Sequence, residues 1–309
     1  MDEQGERGEL APGHVADAVS ARYAAGAAAV EDELCCPVDY DPRYLEVLPD
    51  EILERDYGCG DPSRWLREGE TVLDLGAGGG KICYIASQVV GPTGRVVGVD
   101  MTAEMLDLAR RHREDVAGRI GWDNVEFRHG RIEDLALDLD RFDAWLAANP
   151  VSGVDGWRAA EQEAERMRSA EPMVPDASID VVVSNCVLNL VAPSRKRQLF
   201  RELHRVLRAD GRAVISDIVA DREVPLAMQQ DEELWSGCIS GAFEEQAFGQ
   251  AFLDAGFAEF EVLERQEEPW RTVEGIVFRS VTVAAYRGSA GPRMTESADT
   301  GASCSPTGG

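Results

Sequence analysis

From position 71 onward the chain alternates short runs rich in β-branched residues with longer stretches of helical periodicity, and this alternation limits the possible architectures more than any single motif. TVLDLG (71–76), RVVGVD (95–100), VEFRHGR (125–131), IDVVVSN (179–185) and GRAVISDIV (211–219) read as strands. Between them KICYIASQVV (81–90), AEMLDLARRHREDVAGRI (103–120) and RKRQLFRELHRVLR (195–208) carry apolar residues at helical spacing. Strands that alternate with helices predict an α/β fold with a doubly wound, mostly parallel sheet and right-handed crossovers. In such sheets ligands bind beyond the carboxyl ends of the strands, so residues that break an apolar run at its end are the ones to follow. VVVSNCVLNLV (181–191) is such a place, because Asn185, Cys186 and Asn189 follow directly on a run that should be fully buried.

The remaining chain divides around this core. An N-terminal segment, 1–68, carries Cys35, Cys36 and Cys59; the strand–helix domain covers 69–222, and a C-terminal unit follows over 223–287. The stretch from about 137 to 176 is longer than a crossover needs, and VDGWRAAEQEAERMRSA inside it reads as a charged surface helix within an insertion. The segment 269–287 is β-rich and suits a closing strand or a small separate sheet, and 288–309 has the composition of a disordered tail. Fifty-seven acidic against 31 basic residues give a net charge of −26, which disfavours nucleic acid and anionic membrane surfaces as partners. The acidic N-terminus has no secretory pattern and no apolar stretch reaches spanning length, so a cytoplasmic chain acting as a monomer is the expectation. Seven scattered cysteines argue for reduced thiols with separate roles rather than a disulfide scaffold.

The loop after the first expected strand, DLGAGGGK, places Asp74, Gly76, Gly78 and Gly80 between strand and helix. A dinucleotide loop needs glycine where the chain has Lys81, and a phosphate loop needs Ser or Thr where it has Ile82. Both readings fail on spacing. The pattern D-x-G-x-G-x-G instead resembles the S-adenosylmethionine loop of class I methyltransferases, and Asp100 at the end of the second strand is suited to accept hydrogen bonds from ribose hydroxyls. A structural zinc ribbon has no support, since no C-x-x-C pair occurs. Cys83, between Ile82 and Ile85 in an apolar helix, reads as core, and Cys304 in the tail has no assignable role.

Taken with that loop, RDYGCGDPS, FRHGRIEDL, DVVVSNCVLNLV, RELHRVLRADGRAVISDI and ELWSGCISGAF make the chain resemble the S-adenosylmethionine-dependent arsenite methyltransferases over roughly 35–260. The resemblance implies that Cys186, Cys238 and Cys59 hold trivalent arsenic and that Cys35 or Cys36 completes the set. It implies that Tyr57 and Gly58 touch the cofactor, that Asp74, Gly76 and Gly78 border its methionine part, and that Asp100 and Met101 hold ribose and adenine. Ile132 and Glu133 would lie near the adenine, and Asn185 beneath the sulfonium. The chemistry is coherent: arsenic(III) is soft, prefers thiolates, and when held by three of them keeps a lone pair that can attack a sulfonium methyl. Catalysis is then positioning and desolvation without an obligatory base, and a further thiol can return electrons as a disulfide, reset by thioredoxin or glutathione. Adjacent cysteines at 35 and 36, GDPS after Cys59 and the 137–176 insertion depart from the family pattern and leave methylarsenite open as substrate. Two rivals stand beside this reading. One is a methyltransferase of another small molecule with His129 or His204 as base; the other is a non-catalytic arsenic-binding protein.

Overall fold

The computed structural model describes residues 12–28, 38–55 and 57–288. Nine strands follow in chain order: β1 (Thr71–Leu75), β2 (Arg95–Asp100), β3 (Val125–His129), β4 (Ile179–Asn185), β5 (Leu207–Ala220), β6 (Phe243–Glu244), β7 (Glu259–Arg265), β8 (Arg271–Val273) and β9 (Ile276–Tyr286). They form one sheet in the order β3-β2-β1-β4-β5-β9-β7, with β6 on β5 and β8 on β9. The first five run parallel, as the alternating pattern requires, and β9 returns antiparallel along β5 from Arg212↔Tyr286 to Ala220↔Phe278. The β-rich 269–287 segment is therefore a closing hairpin of the central sheet. Its two-residue turn, Glu274–Gly275, has φ of 50° and 80°, the twist that suits a tight hairpin. The expected third strand stops at His129, two residues early, and the expected fifth begins at Leu207.

Successive side chains of a strand point to opposite faces, and here both faces are covered. Leu73, Val97, Val182 and Ile215 pack with Phe200 and Leu203 of the Pro193–Val206 helix. Their neighbours Val72, Val96, Val181 and Val214 pack with Ile82 and Ile85 of the Lys81–Val90 helix and Leu106 of the Ala103–Ile120 helix. This double burial explains why the strands read as continuous apolar runs. The insertion forms two helices, Leu139–Ala148 and Gly153–Ala170, the second carrying the charged face expected from sequence. Before the sheet, the Pro12–Ala28 helix docks through Arg22 Nη1, which donates to Ser236 Oγ (2.9 Å), and through Tyr57, whose hydroxyl donates to the Gly26 carbonyl (3.0 Å). Among the described residues no helix is long and apolar enough to cross a membrane.

Candidate functional site

The strand order reverses between β1 and β4, which opens a crevice at their carboxyl ends. The glycine loop lies on one wall. Gly76, Gly78 and Gly80 have φ of 68°, 51° and 89°, and a Cβ at Gly76 would come within 2.5 Å of Val187 Cγ1. The amides of Gly76 and Ala77 donate to the Val99 carbonyl, tying the loop to β2. Asp100 closes that wall: Oδ2 accepts from the Gly78 amide and Oδ1 from the Thr102 amide, both at 2.8 Å. Each carboxylate oxygen retains a lone pair for a hydroxyl donor. Burial raises the Asp100 pKa despite these donors. Asp74 beneath the loop is also buried; it accepts from Cys83 Sγ at 3.2 Å, and burial pushes its pKa up to about 7. Cys83 is thus a core thiol, as expected, with a buried carboxyl as partner.

The crevice, with a cavity volume of about 120 Å³, brings together Tyr57, Gly58, Asp74, Gly76, Gly78, Asp100, Met101, Ile132, Glu133 and Asn185, together with Cys186. These are all the residues expected to line a cofactor site. Their donors, acceptors and glycine cradle fit an adenosyl ligand with a flexible polar tail.

Beside the crevice three thiols converge. Cys59 Sγ, Cys186 Sγ and a carboxylate oxygen of Asp217 all lie within 4.8 Å of one another. Cys238 Sγ donates to the Cys186 carbonyl at 3.0 Å. Cys186 follows β4 directly and Cys238 lies in the turn after the Glu232–Ser236 helix; both adopt left-handed backbone, with φ of 63° and 61°. That conformation costs a non-glycine residue of order 1–3 kcal/mol, and such residues collect at functional sites because surrounding structure must enforce them. Here the Cys186 amide donates to the Ser216 carbonyl (2.8 Å), the Cys238 amide donates to the Trp235 carbonyl (3.0 Å), and the Trp235 indole donates to the Leu190 carbonyl (3.2 Å).

Asn185 holds the third cysteine. Its Oδ1 accepts from the amides of Cys59 (2.8 Å) and Gly60 (3.1 Å), while Nδ2 donates to the Gly60 carbonyl (2.7 Å) and the Tyr40 hydroxyl (3.0 Å). This side chain, expected from the family resemblance beneath the sulfonium, borders the crevice but spends its polar atoms on the cysteine loop. A Cβ at Gly58 would fall 2.2 Å from Asn185 Nδ2, which explains the glycine before Cys59.

The Cys186 and Cys238 thiols both have pKa values raised well above the usual thiol value. At Cys186 the hydrogen bond with Cys238 pulls the pKa down, but the contact with Cys59 and burial outweigh it and the result is well above the usual thiol value. At Cys238 the contact with Cys186 and burial both push up. Sequence reasoning misses Asp217, although an acidic residue inside the apolar run AVISDIV is a detectable signal. It is 1% exposed, accepts from Leu188 N (3.0 Å), Ile218 N (2.8 Å) and Asn189 Nδ2 (2.8 Å), and burial brings its pKa to about 7. It misses Tyr23 as well: this residue hydrogen-bonds Cys238, and burial, followed by the two nearby thiols, raises its pKa. Nothing in the local sequence marks it.

Cys35, Cys36 and Cys304 lie outside the described residues. His129 is engaged by Asp140 (2.8 Å) and the Met101 carbonyl (3.2 Å), and His204 packs edge-on against Phe257. Neither belongs to the crevice.

Residues 66–169 and 152–256 match the model of a methyltransferase domain. The chain is 37% identical over 237 residues to an arsenite methyltransferase of Aquipseudomonas alcaligenes, covering 75% of this chain and 58% of that protein. It is 34% identical over 205 residues to the mouse arsenite methyltransferase, covering 66% and 45%. The chain therefore spans about half the length of the curated relatives it matches. Among solved structures it resembles an arsenic(III) S-adenosylmethionine methyltransferase from Chlamydomonas reinhardtii, at 30% identity and a TM-score of 0.64, over 84% of this chain and 77% of that one. With most of its length matched both in sequence and in fold, the chain belongs to the arsenite methyltransferase family of class I S-adenosylmethionine-dependent methyltransferases.

Proposed function

We propose that the protein methylates trivalent arsenic held by Cys59, Cys186 and Cys238. The observation that carries this reading is that Cys59 and Cys186, with Sγ atoms within 4.8 Å of each other, and Cys238, which hydrogen-bonds the Cys186 carbonyl, come from distant segments to the edge of a crevice that Cys186 itself lines. Arsenous acid is neutral and soft. Its three hydroxyl groups exchange for three thiols with release of three waters, each thiol proton ending on a leaving hydroxide, so the exchange needs no net base. The thiol cluster sits among Leu190, Ile218, Trp235 and Phe278, an apolar setting that excludes water from the loaded site.

Bound S-adenosylmethionine supplies an electrophilic methyl group. In this reading Asp100 and Met101 hold its ribose and adenine, Ile132 and Glu133 flank the adenine, and Gly76 and Gly78 admit its methionine part above Asp74. Tyr57 and Gly58 border the methyl side, while Asn185 keeps the Cys59 loop in register with β4. Attack of the arsenic lone pair on the methyl carbon would break the carbon–sulfonium bond and release S-adenosylhomocysteine, with the arsenic formally oxidised by two electrons. A dithiol can return those electrons by closing a disulfide, and Cys35 or Cys36 is the proposed extra thiol, reset by glutathione or thioredoxin. We place the reaction in the reducing cytoplasm, where the cysteines stay free to bind arsenic, and assign it to a monomer.

The test is to incubate reduced protein with S-adenosylmethionine, glutathione and arsenite, then separate arsenic species by chromatography with elemental detection. Methylated arsenic is expected from wild type and not from Cys186→Ser. Turnover of methylarsenite but not arsenite would move the substrate one methyl along; turnover of neither, with S-adenosylmethionine still bound, would sink the reading.

A further inference from the structure

The loop that carries Cys59 is divided between two openings. Tyr57 and Gly58 line the crevice assigned above to the cofactor, whereas Cys59 and Gly60 line a second pocket of about 400 Å³. The two share no residue. Cys186 is among the residues lining the first opening and Cys59 among those lining the second, and their Sγ atoms lie within 4.8 Å, so these two cysteines stand between the openings.

The second pocket lies between residues 38–64 and the closing strands β7 and β9 with the loop that joins them. Ser280 of β9 donates from Oγ to the Cys59 carbonyl at 2.6 Å, and the Gln266 amide donates to the Ser280 carbonyl at 3.0 Å, which fixes one wall against the cysteine loop. Trp270 packs on the apolar cluster that contains the three thiols. The charged groups are largely matched: Arg64 pairs with Glu264 at 2.8 Å and Arg265 with Glu245 at 2.7 Å. A passage whose cations are already paired suits a small neutral hydroxylated solute better than a phosphate or a polycarboxylate.

We infer that this second pocket is the port by which neutral arsenous acid reaches the thiols, entering at Cys59 while the cofactor occupies the other opening. The inference rests on the functional reading above and adds an order to it. Arsenic enters from the sulfur side and its hydroxyls leave there as water, and the lone pair is left facing the crevice. Arsenical and cofactor then bind in either order, because neither passes through the other's site.

The experiment measures arsenite uptake by reduced protein with and without saturating S-adenosylhomocysteine. Uptake is read as arsenic retained after rapid desalting, and its rate by stopped-flow tryptophan fluorescence. Arsenite association is expected to change less than about threefold when the crevice is filled. Gln266→Trp, which narrows the second mouth, should slow association at least tenfold in the filled protein, with the S-adenosylhomocysteine Kd within twofold of wild type as proof of folding; Gln266→Ala should keep the wild-type rate. Loss of arsenite uptake in filled wild type overturns the port whatever the variants do, as does an unchanged rate in a folded Gln266→Trp protein. Absence of arsenite uptake in both filled and empty wild type overturns the functional reading and the port together.

Discussion

The crevice wall made by β1, β2 and the glycine loop and the thiol cluster beside it are constructed differently. The first is local: Asp74, Gly76, Gly78 and Asp100 fall within one strand–helix–strand unit, and their geometry follows from backbone hydrogen bonds between adjacent elements. The second is assembled at long range. Cys59 is clamped by an asparagine 126 residues away, and Cys186 and Cys238, 52 residues apart, are both forced into left-handed backbone. A nucleotide subsite recurs across many proteins and can be carried by one motif, while a soft three-thiol site needs sulfur atoms from separate directions at a few ångströms, which one segment cannot supply without closing on itself. The two halves should therefore fail independently, except where Asn185 joins them.

Cys238→Ser should show the largest separation. Replacing a soft ligand by a hydroxyl should lower arsenite methylation by at least about 100-fold. Binding of S-adenosylhomocysteine, measured by calorimetry, should stay within about twofold. A parallel loss of both would mean that the halves are not separable. Asp100→Ala is the converse and somewhat smaller break. Losing hydrogen bonds to a buried carboxylate should weaken S-adenosylhomocysteine by roughly 10- to 100-fold while arsenite still binds stoichiometrically. If arsenite binding falls equally, Asp100 serves the fold rather than the ligand.

Asn185→Ala tests the joint. It removes four hydrogen bonds from the Cys59–Gly60 loop and Tyr40, a loss of about 2 to 3 kcal/mol in urea denaturation. Arsenite affinity should drop further than cofactor affinity, because the clamp acts on Cys59; an equal drop in both would assign the side chain to the cofactor instead. The smallest effect expected is that of Asp74→Asn. The folded carboxyl titrates near 7, above its ordinary 3.8, so its contribution to stability is full below the ordinary value, declines as pH rises, and is gone above about 7. The asparagine variant lacks this loss, and thermal melts from pH 5 to 8 should show wild type falling relative to it by roughly 2–4 °C. Parallel pH profiles would place the Asp74 carboxyl in contact with water.

Much of the cofactor half is legible in the amino-acid sequence. The five parallel strands, the loop at Asp74 to Gly80 and the carboxylate of Asp100 follow from periodicity and spacing, because double burial of a strand writes itself as a continuous apolar run and a tight turn demands glycine. The roles of Cys59, Cys186 and Cys238 are suggested by resemblance, and their positions along the chain hold no measure of their separation in space. Asp217 leaves a faint trace as a charge in an apolar strand, and Tyr23 leaves none, since an isolated tyrosine in an alanine-rich helix gives no hint of where that helix docks.

The order of residues is thus enough to set the alternating sheet and to announce a nucleotide-type loop, because both depend on contacts between neighbours in the chain. The meeting of Cys59 and Cys186 beside Asp217 with Cys238 bonded to Cys186, the clamp of Asn185 on Cys59 and the two openings lined by these cysteines are products of long-range packing alone. Those contacts join segments whose order along the chain carries no distance, and their geometry is fixed by how β4, β5 and β9 pack around the cysteine loop.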